Sequence, residues 1–408
     1  MKTIIFAPET LNLSETSRMV EIAKACENFF KILFISYGGR FDYLIKEASF
    51  PIRELKPRLT DEKAKHILKI DQMEIQGDFF SEKELMERVQ NEINVFEEID
   101  PVAIVTGFCL SVTLSSRATK IPLVWILAIA GTRPYYEERL GTWPDAMDYL
   151  VIRWIPERIL NWTMNSLMIK SKIFTRPFNK VAKTLNIKPF DSFLDLIEGD
   201  YVLLSDVPEF ANLTKLPSNY KYIGPILPHL NLEIPEEIIN LPKDKPIIYF
   251  AMGSSGNPII IKEIIEGFIN KNYRVIAPIK NLMSELKVSV PKNVIVTGWI
   301  PAEKVNPMAN ISVIHGGQGT VYTACLSGTP VVGIGMQSEQ EGNIECLVRK
   351  GFAIRIKKKR VTANAVLKAI DKLLLDKEAG KKAKEFQKIV KNWNGSLNAA
   401  NFLRDTFG

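Results

Sequence analysis

Histidine and cysteine are scarce in this 408-residue chain, with three of the first and four of the second. Cys26, Cys109, Cys325 and Cys346 lie far apart and without a CxxC spacing, which excludes a disulfide framework. They read as buried free thiols in a reducing compartment. Three histidines and no cysteine cluster leave almost nothing from which to build a zinc site. Long hydrophobic runs are missing too. The longest, Ile121 to Ala130, is about half a membrane span and carries Pro122. The N-terminal run Ile4 to Ala7 stops at Pro8 and Glu9, too early for a secretory segment. These absences predict a soluble, cytoplasmic protein, with peripheral contact at a membrane left open.

What the chain does contain is ordinary globular material. It is 46% hydrophobic and 24% charged, enough apolar residues for two sizeable cores. Lys and Arg exceed Asp and Glu by 53 to 46, a net charge of +7. Spread over this length, the surplus describes a solvated lysine-rich surface or one suited to anionic ligands or lipid. The densest cluster, Lys357-Lys358-Lys359-Arg360, reads as a loop before a helix opened by Thr362. No basic stretch is interleaved with aromatics in the manner of a nucleic-acid module, so nucleic acid is not expected as a partner.

The dominant rhythm is a short β-rich run, a turn and an amphipathic helix, which predicts an α/β protein of parallel sheets covered on both faces. Strands are expected at Thr3–Pro8, Lys31–Tyr37, Phe50–Leu55, Val102–Thr106 and Leu123–Leu127, with helices such as Glu15–Cys26 between them. Ser81 and Glu84 form a capping box ahead of Leu85, Val89, Ile93 and Phe96 at helical spacing. From Gly131 to about Asn219 the rhythm loosens into helices and loops. It resumes with Pro246–Ala251, Tyr273–Ala277, Val294–Thr297, Ile311–Ile314, Pro330–Gly333 and Phe352–Ile356. The expected organisation is a doubly wound domain over 1–225, a proline-rich linker over 226–245 and a second such domain over 246–390. A C-terminal helix over 391–408 is placed to pack back on the first domain. Ligands of such sheets bind at the carboxyl ends of the strands.

The strongest local signal follows one of those strands. In Ile314-His315-Gly316-Gly317-Gln318-Gly319-Thr320, three glycines allow close backbone approach and a helix N-terminus offers unpaired N–H groups, a combination suited to phosphate. Thr320 adds a hydroxyl and His315 a ring nitrogen. The loop is neither a Walker A sequence nor GxGxxG. A tight turn without a ligand is the structural alternative. Met252-Gly253-Ser254-Ser255-Gly256 is a second small-residue loop after a strand, and the two together favour a diphosphate. Trp299 offers a stacking surface for a base, and Glu339 with Gln340 offers groups that accept from and donate to sugar hydroxyls.

At this point the stretch Gly298 to Asn343 resembles the donor signature of nucleotide-sugar glycosyltransferases of the UDP-glycosyltransferase superfamily, bacterial natural-product type. The matching pieces are Trp299-Ile300-Pro301, His315 to Thr320, Gly328-Thr329-Pro330 and Glu339-Gln340-Glu341-Gly342-Asn343. Tyr222-Ile223-Gly224-Pro225 looks like the segment closing the acceptor domain. The resemblance implies a GT-B fold, two Rossmann-like domains facing a central cleft, the first for the acceptor and the second for the donor. It implies that Trp299 stacks on the base. Ser254, Ser255, His315, Gly316, Gly317, Gly319 and Thr320 would hold the diphosphate, and Glu339 with Gln340 the sugar. The chain departs from the plant-type pattern at Ala302, where that pattern has Gln, and at Thr323, where it has the ribose Glu.

A further departure concerns the base. The family commonly places a His in the loop after the first strand, and here Glu15 stands at that position, with Glu9 in reserve. The structural alternative makes Ser14 an N-cap and Glu15 a first-turn carboxylate whose pKa the helix lowers, against burial, which raises it. No DxD occurs, in keeping with a metal-independent mechanism. The implied function is therefore inverting transfer of a sugar from a nucleoside-diphosphate donor, UDP or dTDP, to a hydroxyl of a hydrophobic or lipid-like acceptor. The donor is a co-substrate, and no cofactor or metal is expected. A nucleotide-sugar 2-epimerase and a non-catalytic nucleotide-sugar-binding partner are the alternatives. On the acceptor side, Tyr149–Phe174 carries Trp154 and Trp162 beside Arg153, Arg158, Lys170 and Lys172. That segment is either a packed helix or a surface touching anionic lipid.

Overall fold

A computed structural model describes residues 1–228, 232–252, 257–283 and 288–408. Short runs such as Ile247–Ala251 (IIYFA) and Ile311–Ile314 (ISVI) are buried along their whole length. A strand covered on both faces needs continuous apolar sequence of this kind. All strand pairs found are parallel. They form two sheets, of seven and six strands, with helices in the connections.

The contacts divide the chain into two compact units. The first comprises Met1–Gly141, Pro156–Pro228 and Trp393–Gly408. Its sheet runs β3 (Ile52–Glu54), β2 (Lys31–Ser36), β1 (Thr3–Phe6), β4 (Ala103–Thr106), β5 (Leu123–Leu127), β6 (Tyr201–Leu204) and β7 (Tyr220–Tyr222). One core packs Phe6, Phe34, Val105 and Ile126 of the sheet with Met19 and Ala23 of helix Leu13–Cys26. Ala400 and Leu403 of the last helix, Gly395–Phe407, enter the same core. Asn398 Nδ2 ties that helix to the Ile223 carbonyl at 2.8 Å. Strands β6 and β7 lie in or just beyond the stretch where the sequence rhythm loosens. A helix of only four residues, Pro208–Ala211, follows β6, and the proline-rich stretch follows β7, so the strand–turn–helix rhythm is broken at both.

The second unit comprises Thr142–Ile155 and His229–Asn392. Its sheet runs β10 (Val294–Val296), β9 (Arg274–Ala277), β8 (Ile247–Ala251), β11 (Ile311–Ile314), β12 (Val331–Gly333) and β13 (Ala353–Arg355). The division drawn from the sequence kept 142–155 with the first domain. Here charge pairing inside the second unit holds that segment. Arg355, at the end of β13, reaches Asp145 at 2.7 Å and Glu341 at 3.1 Å, and donates to Thr142 Oγ1 at 3.0 Å. The Glu341 carboxylate also accepts the Asp145 N–H, and Asp145 accepts the Lys358 N–H at 2.9 Å. Burial, and then the neighbouring charge of Asp145, push the Glu341 carboxyl upward.

Removing the cation from this cluster leaves two buried carboxyl groups without their counter-charge. Arg355→Met is expected to cost about 3–5 kcal/mol, seen as a lowered urea midpoint. An unchanged midpoint would contradict the role assigned to the cluster.

Candidate active site

Parallel strands end together, and the useful edge of each sheet is where neighbouring connections leave in opposite directions. In the first unit that point lies between β1 and β4, which pair through Ile4, Ile5 and Phe6. The loop after β1 carries Glu9 and Thr10 and opens the helix bearing Glu15. The loop after β4 carries Gly107, Cys109 and Ser111. Thr10 is a β-branched residue in the left-handed region, with φ 53. Such backbone persists only where its surroundings hold it, commonly at functional loops.

Glu15 is the third residue of its helix. The N-cap is Asn12, whose Oδ1 accepts the Glu15 N–H at 2.8 Å. Ser14, the N-cap of the sequence reading, is exposed inside the first turn. Asn12 takes the role because its backbone is extended there, φ −134 and ψ 152, which aims its carboxamide at the free N–H. The Glu15 side chain does not complete a capping box. It turns inward, 5% exposed, and neither carboxyl oxygen closes a hydrogen bond among the described residues. It lies against Gly107, where an added Cβ would meet Glu15 Cγ at 2.8 Å. Burial first, and then the charge of Glu9, raise its pKa from 4.5 to about 8, against the attraction of Arg18 and of the nearby backbone N–H groups of Glu9 and Gly107. Of the two opposing effects weighed in the sequence, burial prevails over the helix end.

Glu9 differs from Glu15 in being fully committed. Arg88 holds it through two hydrogen bonds of 2.9 and 2.6 Å, with both side chains buried. The Arg88 guanidinium also stacks 3.5 Å from the Tyr37 ring centroid and donates to Ser111 Oγ at 3.2 Å. One turn along the same helix, Glu92 accepts from the hydroxyls of Tyr37, Ser111 and Ser115. Sequence reasoning missed this network. Its signal was present: Arg88 and Glu92 fall on the stripe that buries Leu85, Val89 and Phe96, where a charge demands a partner. Ile93, expected on that stripe, is only half-buried.

In the second unit the switch point lies between β8 and β11. His315 Nδ1 is 3.3 Å from the Ala251 carbonyl, tying the two strand ends together. A carbonyl only accepts, so Nδ1 carries the proton and the neutral ring offers Nε2 as a lone pair. Nε2 lies over Gly317, the N-cap of helix Gln318–Ser327. Burial lowers the His315 pKa to about 4. The Thr320 hydroxyl donates to the Gly317 carbonyl at 2.8 Å. Both side-chain donors of the sequence reading are thus engaged. The helix begins without a side-chain cap among the described residues, and its first-turn N–H groups, those of Gly319 and Thr320 among them, have no acceptor within the helix.

Other expected residues gather at the next strand end. Gly316, with φ +83, sits against the Gln340 carbonyl, and its own carbonyl accepts from Asn343 Nδ2 at 3.1 Å. Asn343 also donates to Glu339 at 3.2 Å. Glu339 is exposed, whereas Gln340 is buried and accepts the Met336 N–H at 3.0 Å. Trp299 follows β10, the edge strand of its sheet, with 46% of its surface exposed, and β9 and β8 stand between that strand and β11, which leads into the loop at His315. Ser254 and Ser255 lie outside the described residues. Among those described, no three His, Cys, Asp or Glu side chains group as metal ligands.

Residues 78–392 match the model of the family described as UDP-glucoronosyl and UDP-glucosyl transferase. A PGL/p-HBAD biosynthesis glycosyltransferase of Mycobacterium tuberculosis is 26% identical over 91% of this chain and 84% of its own length. A PGL/p-HBAD biosynthesis rhamnosyltransferase of Mycobacterium bovis is 29% identical over 72% of this chain and 65% of its own. Among solved structures, the glycotransferase of kitacinnamycin superposes with a TM-score of 0.71 at 16% identity, over 100% of this chain and 99% of that one.

Two titrations test the electrostatics. Between about 4.5 and about 8 folded Glu15 keeps a proton that the unfolded chain has released, so its burial lowers stability as pH rises through that window. Glu15→Gln is therefore expected to gain stability over the parent as pH rises, on the order of a few kcal/mol by the upper end. A constant difference between pH 5 and 9 in thermal melts would count against the buried, unpaired carboxyl. The His315 ring resonance, assigned by loss in His315→Gln, is expected to titrate near pH 4.

Proposed function

Because the chain belongs to the UDP-glucoronosyl and UDP-glucosyl transferase family and is a glycosyltransferase with the GT-B fold, we propose that it transfers a sugar from a nucleoside-diphosphate donor to an acceptor hydroxyl with Glu15 as general base. UDP and dTDP are the donors proposed, the acceptor is hydrophobic or lipid-like, and the anomeric centre inverts without a metal ion. The observation that carries the reading is Glu15 itself. It is a buried carboxyl at the switch point of its sheet, with no side-chain hydrogen-bond partner among the described residues and a pKa raised to about 8. Such a group accepts a proton far more readily than an ordinary surface carboxylate.

In this reading the acceptor O–H gives its proton to a Glu15 oxygen as the oxygen attacks the anomeric carbon. The bond from that carbon to the diphosphate breaks, and the nucleoside diphosphate leaves with the electron pair. The negative charge growing on it is met by the N-terminus of helix Gln318–Ser327, through the N–H groups of Gly319 and Thr320. His315 would join as a donor once the diphosphate draws a proton onto Nε2. Glu339 and Gln340 would hold sugar hydroxyls, Ser254 and Ser255 further phosphate oxygens, and Trp299 the base. Peripheral contact with an anionic membrane belongs to the same proposal, since it would bring the chain to a lipid-like acceptor.

The test is transfer by the purified chain from UDP-, dTDP- and GDP-glucose to a panel of hydrophobic alcohols and phenols. Glu15→Gln is expected to lower turnover about a hundred- to ten-thousand-fold. For the parent, kcat/KM should rise with pH and level off near 8, following the pKa of the base. Trp299→Ala is expected to raise the donor KM roughly five- to a hundredfold with a smaller effect on kcat. Unaltered turnover in Glu15→Gln would sink the base assignment. Intact but epimerised donor, or donor binding without any turnover, would replace transfer with one of the two other activities weighed from the sequence.

A further inference from the structure

Within the second unit, the segment Thr142–Ile155 ends in a 3-10 turn, Leu150–Trp154, that buries none of its residues. Leu150 is 74% exposed, Val151 81% and Trp154 90%. Large apolar groups this open, adjacent in sequence, are not accounted for by folding. The basic run at Lys358–Arg360 packs beside this segment, although more than two hundred residues separate them in sequence. The Lys359 ammonium sits 3.6 Å from the Tyr149 ring centroid, and Arg360 holds Asp148 at 2.7 and 2.9 Å. Arg153 reaches the same Asp148 at 3.3 Å.

The two carboxylates of the segment, Asp145 and Asp148, are buried and paired with arginines, so they add little negative charge to its surface. Exposed Arg153, Lys359 and Arg360 surround the apolar turn. Glu157, two residues beyond the segment, is the nearest exposed carboxylate along the chain.

We propose that this turn is a membrane-docking tip, in which Leu150, Val151 and Trp154 enter the headgroup region of an anionic bilayer while Arg153, Lys359 and Arg360 face its phosphates. An apolar protein partner would account for the first three residues alone. The ring of cations with its carboxylates turned inward fits an anionic lipid surface, where apolar insertion and charge attraction add. The indole of Trp154 suits the interfacial depth, apolar over its ring and polar at one edge. The tip gives a location to the membrane contact proposed above and deepens that part of the reading. It is read out without sugar transfer, so either can fail while the other stands.

The experiment is flotation of the full-length chain with vesicles of equal parts phosphatidylglycerol and phosphatidylcholine, and with phosphatidylcholine alone. Binding is expected to the anionic vesicles and to fall as salt rises. The triple variant Leu150→Ser, Val151→Ser, Trp154→Ser, and separately Lys359→Glu, should each weaken it about tenfold or more with unchanged thermal melts. Transfer to a water-soluble acceptor should not change in either. Equal flotation of parent and variants, or no preference for the anionic vesicles, overturns the proposal. So does concentration-dependent self-association that the triple variant abolishes, which would make a second copy of the chain the occupant.

Discussion

Parallel strand pairing is the constraint on which the rest of this structure hangs. Each parallel neighbour must be reached by a crossover, so every strand delivers its following loop to the same edge of its sheet. In the first unit this brings the loops after β1 and β4 together, and with them Glu15, Glu9 and Gly107. In the second it brings the end of β8 against the loop after β11, where His315 bridges to the Ala251 carbonyl. Neither grouping is local in sequence: Gly107 follows Glu15 by more than ninety residues. The candidate chemistry therefore rests on the hydrogen-bond ladders before it rests on any side chain.

The cost of taking charge out of water then sorts the residues at those edges. Arg88 meets both oxygens of Glu9, and Arg355 reaches both Asp145 and Glu341, so these buried carboxyl groups have a cation within hydrogen-bond distance. Glu15 has no such partner, so burial shifts it toward its protonated form. His315 obeys the same rule with the opposite sign and stays neutral. The pairs hold loops in place. The unpaired groups are left able to change protonation when a ligand arrives, which is the property that acid–base work and phosphate recognition require.

Much of the fold was legible. Most strands announced themselves as apolar runs bounded by turn residues, and the capping box at Ser81 and Glu84 forms as its spacing implies, with Glu84 N–H to Ser81 Oγ at 3.2 Å. Thr362 likewise opens its helix. β6 and β7 were not legible, because β6 is followed by a helix of only four residues, Pro208–Ala211, and β7 by the proline-rich stretch, so neither stands in a strand–turn–helix rhythm. Asn12 was passed over for Ser14 because both residue types cap helices, and only backbone direction decides between them. Arg88 and Glu92 were hidden by the habit of reading charges as solvated, although their position on a buried stripe told otherwise.

The order of apolar runs and turns, the glycines of the His315 loop and the spacing from His315 to Gln340 are properties of the sequence alone. They determine the α/β class, the strand-end loops and the family, because local periodicity and backbone permissiveness are written residue by residue. Which charges meet is a different matter, since it depends on contacts between residues far apart in the chain. Tertiary structure decided that Glu9 is paired and Glu15 is not, that segment 142–155 joins the second unit through Arg355, and that Lys359 lies over Tyr149. Protonation and surface character follow from those meetings, for burial and charge proximity act through space and leave no pattern along the chain.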